Sequence, residues 1–272
     1  MSVYNMRQRL SAFLDISTYC NAACPQCHRT NRKDLDKVNW LPLSFWDLDK
    51  FKRAYPPEDV YRHYEFIFCG TWGDPVMNPH LDKILDYTRY HAAPKMNMIV
   101  NTNGSIRDED WWYKLGLRHG KRLTVVFAID GSTQEMHEKY RKKTSLQKIL
   151  NNMEALSDTE SKSEAMTIVF KHNEDYLADI AMLAREHGAR QYSWVCSNRF
   201  DGTTTEWIYT ENGEEKFLER TTMEDFMNNY ASDEYKDEVI TKEKKLMNLF
   251  KMVPHEFLTT GEHKESFRIK LL

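Results

Sequence analysis

Much is missing from this chain of 272 residues. No apolar run approaches the ~20 residues that a membrane-spanning helix needs. The first ten residues are polar and Arg-rich, so neither a membrane span nor a signal peptide is expected. Charge is nearly balanced, at −3 overall, which argues against a broad basic surface for nucleic acid. Cysteine is limited to five positions, Cys20, Cys24, Cys27, Cys69 and Cys196, an odd count with three close together and no secreted disulfide framework. Repeats and low-complexity tracts are absent as well. A reduced, cytoplasmic chain is the expectation. With 41% apolar and 29% charged residues it reads as soluble and globular, one large domain or a domain with an extension.

What is there is a regular alternation. An apolar run at 13–16 reads as a first strand. Ser44 reads as the cap of a helix over 44–55 that Pro56 and Pro57 end, and Asn78-Pro79 opens another over 78–91. Strands are expected over 64–69, 96–100, 123–129, 165–170 and 192–196. Helices fall between them over 108–119 (closed by Gly120), 144–156 (capped by Thr144) and 173–187 (before Gly188). Six strands alternating with helices predict an α/β fold with a parallel sheet, either open and doubly wound or part of a barrel. In both, ligands lie at the carboxyl ends of the strands. The rhythm stops near residue 197. Beyond it, Trp207 to Lys216 suggests a hairpin around an Asn212-Gly213 turn, followed by charged helices over 223–230 and 234–250.

The chemistry gathers in loops that follow strands. Cys20-Asn-Ala-Ala-Cys24-Pro-Gln-Cys27-His28 places three soft ligands on one short loop, a set suited to an iron-sulfur cluster with one iron left without a protein ligand. On spacing alone, half of a zinc site with His28, or three free thiols, stays open. Cys69-Gly70-Thr71-Trp72-Gly73-Asp74-Pro75 joins flexible glycines to a carboxylate able to meet a cationic amine, or is a plain turn. Asn101-Thr102-Asn103-Gly104 and Ala128-Ile129-Asp130-Gly131, with His137 and Arg141 beyond, are polar strand endings of the same kind.

These four motifs, in this order, resemble the radical S-adenosylmethionine (SAM) superfamily, nearest the branch of SPASM and twitch enzymes. The resemblance covers about 13–196 and implies a partial (β/α)6 TIM-type barrel over 1–197, with a small C-terminal α+β extension over 198–272. It implies a [4Fe-4S] cluster on Cys20, Cys24 and Cys27, with SAM chelating the open iron. One electron would cleave SAM to methionine and a 5′-deoxyadenosyl radical, which takes hydrogen from a peptide or small-molecule substrate. An electron donor such as a cytoplasmic flavodoxin or ferredoxin is implied, and nucleic acid or a membrane as partner is not. The resemblance assigns SAM to Gln26, Thr71, Gly73, Asp74, Asn101, Asn103, Asp130, Arg141 and Val195.

Departures from the family pattern are visible. Asp74 stands for a glutamate, Gln26 for an aromatic residue that contacts adenine, and Ala128 for a serine. No cysteine follows Cys196, so an auxiliary cluster of the usual kind cannot be built. Trp111, Trp112, Tyr192 and Trp194 read as core residues or as the lining of a substrate site, Cys69 and Cys196 most simply as core thiols with Cys196 facing the substrate as the alternative, and the basic segment 29–37 as a solvated loop or an exposed lid over the site.

Overall fold

A computed structural model describes residues 10–200 and 204–221, together with the backbone of a strand at Ser266–Lys270. Six strands, β1 (Leu10–Leu14), β2 (His63–Phe68), β3 (Asn97–Thr102), β4 (Leu123–Ala128), β5 (Lys162–Val169) and β6 (Gln191–Cys196), pair in sequence order and in parallel. They form a curled half-barrel. A further strand, β9 (Ser266–Lys270), runs antiparallel to β6 and extends the sheet at that edge. The expected hairpin is present as β7 (Glu206–Glu211) and β8 (Glu214–Glu219). Its turn residues Asn212 (φ 54°) and Gly213 (φ 82°) are both left-handed, the geometry that suits the twist of a two-residue hairpin. The helices expected over 223–230 and 234–250 lie outside the described residues.

Alternation along the strands divides the sheet into two faces. Phe66, Phe68, Met98, Val100, Val125, Phe127 and Tyr192 point one way and are completely buried. They pack against α1 (Leu48–Ala54), α3 (Leu81–His91), α4 (Glu109–His119) and α6 (Leu146–Ser157) through Phe51, Ile84, Trp112 and Ile149. The other face, the inside of the half-barrel, carries Phe13, Ile67 and Ile99 in register, with Val126 and Met166 on the same side, and these remain partly or largely exposed. Among the described residues, no helix is long and apolar enough to cross a membrane.

Helix ends follow local chemistry with short displacements. Asp108 caps α4 by accepting from Trp111 N at 2.9 Å, and Gly120 closes it at φ 53°. Ser44 does not cap α1. Its backbone pairs with Thr18 instead (Ser44 N to Thr18 Oγ1, 2.7 Å), and Asp47 takes the cap. Ser145, not Thr144, caps α6, because the Thr144 hydroxyl is engaged by Arg141 O at 2.6 Å and the His137 ring at 3.1 Å. The two prolines end α1 and also begin a short helix, α2 (Pro57–Arg62), with Pro57 in its first turn. Another short helix, α5 (Gln134–Glu138), follows Gly131, and α7 (Leu177–Glu186) follows a 3-10 turn at Glu174–Tyr176.

Three histidines make the fold acid-sensitive. Burial, then Arg89 and Arg118, lower His119 to about 4; Asp86 Oδ1, 3.8 Å from its Nε2, is too far to offset this. Burial lowers His137 to about 3 and His172 to about 4, helped by Arg141 and Lys139 respectively. Each is below the ordinary value near 6.5, so the unfolded chain binds more protons between roughly pH 6.5 and 4. Stability is therefore full above that window and falls as pH drops through it, by up to about 1.4 kcal/mol per pH unit for each histidine. Urea midpoints measured from pH 7 to 4.5 are expected to fall steadily; a flat profile would contradict the burial of these rings.

Candidate functional site

All the chemically distinctive loops lie on one rim, at the carboxyl ends of β1 to β6. After β1, Asp15 Oδ1 accepts from the backbone N–H groups of Thr71 (2.9 Å) and Trp72 (3.2 Å), tying the first loop to the second. Gly73 sits hard against this crossing. A Cβ there would stand 2.4 Å from Ser17 O and 2.6 Å from Thr18 C, so only glycine fits. The close approach that Gly73 permits is thus to the protein's own backbone.

The cysteine loop is wound tightly. Cys27 N–H donates to Cys24 O (3.0 Å) and Thr30 N–H to Cys27 O (2.9 Å). From beneath, the buried Arg29 donates to Thr18 O (3.2 Å) and Ala22 O (3.4 Å). The segment 29–37 is thus fastened to the protein at several points, while Arg32, Lys33, Asp34 and Asp36 are exposed. Leu35 is buried, Lys37 Nζ donates to Val38 O and Leu41 O, and Arg32 lies 3.6 Å over the Trp207 ring.

Asp74 organises the next two loops. It is buried, and its oxygens accept from Val76 N (2.9 Å), Thr102 Oγ1 (2.9 and 3.0 Å), Asn103 N (2.8 Å) and Asn103 Nδ2 (2.8 Å). Burial pushes its carboxyl upward, while these donors pull it back. Asn103 passes the link on, because Nδ2 also donates to Asn21 Oδ1 (2.9 Å) and stands 3.7 Å from Cys20 Sγ. Asn21 in turn donates to Ser105 Oγ at 2.9 Å. Sequence reasoning missed Asn21, Ser105 and Asp15. Only Asp15, a lone carboxylate inside an apolar run, carried a signal.

On the other side, Asp130 is fully buried. Its Oδ1 accepts from Ile168 N at 2.7 Å and its Oδ2 from Arg141 Nε at 2.5 Å. Arg141 also hydrogen-bonds Cys24 and lowers that thiol's pKa, though burial is the larger influence and holds it at about 11. Burial, then Asp74, raise Cys20 to about 12. Without a metal both are thiols; a bound metal takes them as thiolates and releases their protons. Among the described residues, no three Cys, His, Asp or Glu side chains are grouped to hold a metal ion. A single zinc would need every ligand within about 2.3 Å of it, whereas a cluster presents a separate iron to each cysteine. Three thiols on one loop, with Asn103 and Arg141 directed at two of them, fit the cluster. His28 points outward, edge-on to Trp72 at 6.0 Å.

The remaining assigned residues divide by exposure. Thr71 is exposed, and Asn101 and Val195 are partly exposed. Gln26 is completely buried, its Oε1 accepting from Ser197 Oγ at 2.5 Å. The alternation of the strands decides between core and substrate-facing readings in favour of the core for three residues. Tyr192, Trp194 and Cys196 lie on the helix-covered face, whereas Cys69, continuing the alternation of Glu65 and Ile67, belongs to the inner one. Trp112 is buried in α4, and Trp111 on the same helix packs near Asp82 and Arg107. None of these four aromatic residues lines the interior.

The chain folds as a parallel half-barrel with a three-cysteine loop on its carboxyl rim. Residues 14–184 match the family model described as the radical SAM superfamily, and the chain belongs to that superfamily. Its cofactors are accordingly SAM and a [4Fe-4S] cluster. No curated protein matches the chain. Among solved structures it is similar to Streptococcus suis SuiB bound to precursor peptide SuiA, with a TM-score of 0.59 and 14% identity over 88% of this chain and 47% of that one. It is also similar to anSMEcpe with bound AdoMet and Cp18Cys peptide, with a TM-score of 0.57 and 17% identity over 80% of this chain and 57% of that one. The chain thus spans about half the length of these proteins, and the likeness is one of fold.

Proposed function

We propose that Cys20, Cys24 and Cys27 hold the cluster, that SAM lies along the same rim, and that the substrate is a peptide side chain presented to the open inner face. The observation that carries the reading is the continuous hydrogen-bonded chain from Cys20 and Asn21 through Asn103 to Asp74, which makes three separate loops one site. When bound, the cofactors supply one-electron reductive cleavage of SAM and, from it, hydrogen-atom abstraction.

The protein's own residues bind, orient and exclude water. Thr71, Asn101 and Val195, each exposed at least in part, offer surface to SAM. Arg141, with 14% of its side chain exposed, offers a planar cation to the SAM carboxylate. Gly73, Asp74, Asn103, Asp130 and Gln26 hold these in place. A flavodoxin or ferredoxin is the kind of donor that supplies the electron.

Support for a peptide comes from the inner face, where Phe13 is 71% exposed and Ile67, Ile99 and Met166 are partly so. The similar SuiB and anSMEcpe structures both contain peptides. A small molecule is the second reading. Modification of RNA or a nucleotide is less favoured, because in the basic segment 29–37 Arg29 and Lys37 donate to backbone carbonyls and Arg32 stacks on Trp207.

The test is anaerobic reconstitution with iron and sulfide, reduction with SAM present, and assay for 5′-deoxyadenosine. The unmutated protein is expected to form it, Cys24→Ala to form none, and a peptide substrate to raise the rate. Bound iron without SAM cleavage would point to an electron-transfer protein. A zinc-loaded chain would defeat the reading.

A further inference from the structure

The bridge between Cys24 and Cys27 is held by residues outside all four motifs. Arg199, just past β6, donates Nη1 to the backbone carbonyl of Gln26 at 2.6 Å. Trp207, on β7, donates its indole Nε1 to the carbonyl of Pro25 at 3.1 Å. Both carbonyls between these cysteines thus receive donors from the chain that follows the half-barrel. Ser197 adds a third contact, to the Gln26 side chain.

The hairpin that carries Trp207 is itself fixed to the cysteine loop. Thr210 N–H donates to Arg32 O at 2.7 Å, and Arg32 stacks on Trp207. Lys142 joins Glu211 at 2.8 Å while its own carbonyl accepts from Ala23 N–H at 3.1 Å. Tyr209 and Leu218 are buried in the same apolar cluster as Ala22, Ala23 and Cys24.

Two of the cations near the loop, Arg141 and Arg199, differ. Arg141 is neutralised by Asp130. Arg199 forms no ion pair among the described residues.

We propose that Arg199 and Trp207 are positioning residues for the iron-sulfur cluster, fixing the bridge between Cys24 and Cys27 and favouring the reduced state through the Arg199 charge. This rests on the assignment of the three cysteines as cluster ligands. Reduction moves one electron from a low-potential donor, which is oxidised by one electron, to the site. It adds one negative charge and breaks no protein bond. A fixed cation hydrogen-bonded to the ligand loop stabilises that added charge, and hydrogen bonds and local charge are what tune such potentials.

The test uses the full chain, reconstituted anaerobically with iron and sulfide. It reads iron content, a dithionite titration followed by electron paramagnetic resonance, the rate of iron loss to a chelator, and far-UV circular dichroism. Arg199→Met is expected to bind as much iron as the unmutated protein. At a fixed potential its reduced-to-oxidised ratio is expected to be about tenfold lower, which is a shift of 59 mV for a one-electron couple. Arg199→Lys recovers most of that ratio. Trp207→Phe keeps an aromatic ring but not the N–H, and is expected to lose iron roughly tenfold faster at little change in potential.

Iron uptake lost in Arg199→Met and regained in Arg199→Lys also supports the proposal. Loss in both with Trp207→Phe unchanged assigns Arg199 to the fold alone and overturns it, as do unchanged potentials and iron-loss rates in all three variants. An unmutated protein that takes up no iron sinks the cysteine assignment instead.

Discussion

Asp74→Ala is expected to lose about 3 kcal/mol of stability, most of its iron, and at least ~100-fold of its 5′-deoxyadenosine formation. The carboxylate is enclosed by donors from Val76, Thr102 and Asn103. Alanine removes every acceptor at once and leaves buried N–H and O–H groups unpaired, at ~1–3 kcal/mol for such a group before relaxation. The damage spreads along a definite route. Asn103 loses its anchor, and with it the contacts to Asn21 and Cys20. Asp74→Asn retains one oxygen but turns an NH2 toward donors, so an intermediate loss is expected. Urea denaturation and iron content decide the matter. An alanine variant with unchanged midpoint and iron would mean that Asp74 does not organise the rim.

Arg141→Met is the other large effect, expected at about 3–5 kcal/mol, the usual cost of stranding one member of a buried ion pair. Asp130 has no exposure, and methionine would leave its carboxylate with the Ile168 N–H as the remaining donor to its side chain among those described. Burial already pushes the Asp130 carboxyl upward and Arg141 is what opposes this, so the variant's Asp130 is expected to protonate more readily. The pair also separates stability from function. In Asp130→Leu with Arg141→Met, both charges are gone and much of the stability is expected to return, because well-packed apolar replacements of buried pairs are tolerated. SAM cleavage is not expected to return, since Cys24 has lost its cationic neighbour. Full recovery of both would show that the pair is structural only.

The parallel strands were legible because each is a short apolar run between turn residues, and helix-covered strands need only be apolar. Helix starts shifted where tertiary contacts claimed the capping residue, as at Ser44 and Thr144. The strand at Ser266–Lys270 does alternate apolar and polar residues, but five residues far from their partner give little to distinguish a sheet edge from a loop. At the site, residue types were readable and their division of labour was not. Nothing in Gly-Asp-Pro says that the carboxylate turns inward to its own loops. Nor do Tyr192 and Trp194 say which face of the sheet they occupy. Arg199 and Trp207 had no local signal at all, since their importance comes from a return of the chain across a loop more than 170 residues earlier.

The antiparallel strand at the sheet's edge also has a bearing on synthesis. β6 finds its outer partner only about 70 residues later in the chain. At translation rates of ~5–20 residues per second, that edge stays open for several seconds after β6 has emerged. An unpaired strand edge is a template for pairing with other chains. The nascent half-barrel is therefore most vulnerable to aggregation after its own six strands are complete, and slow passage through residues 197–265 would lengthen that interval.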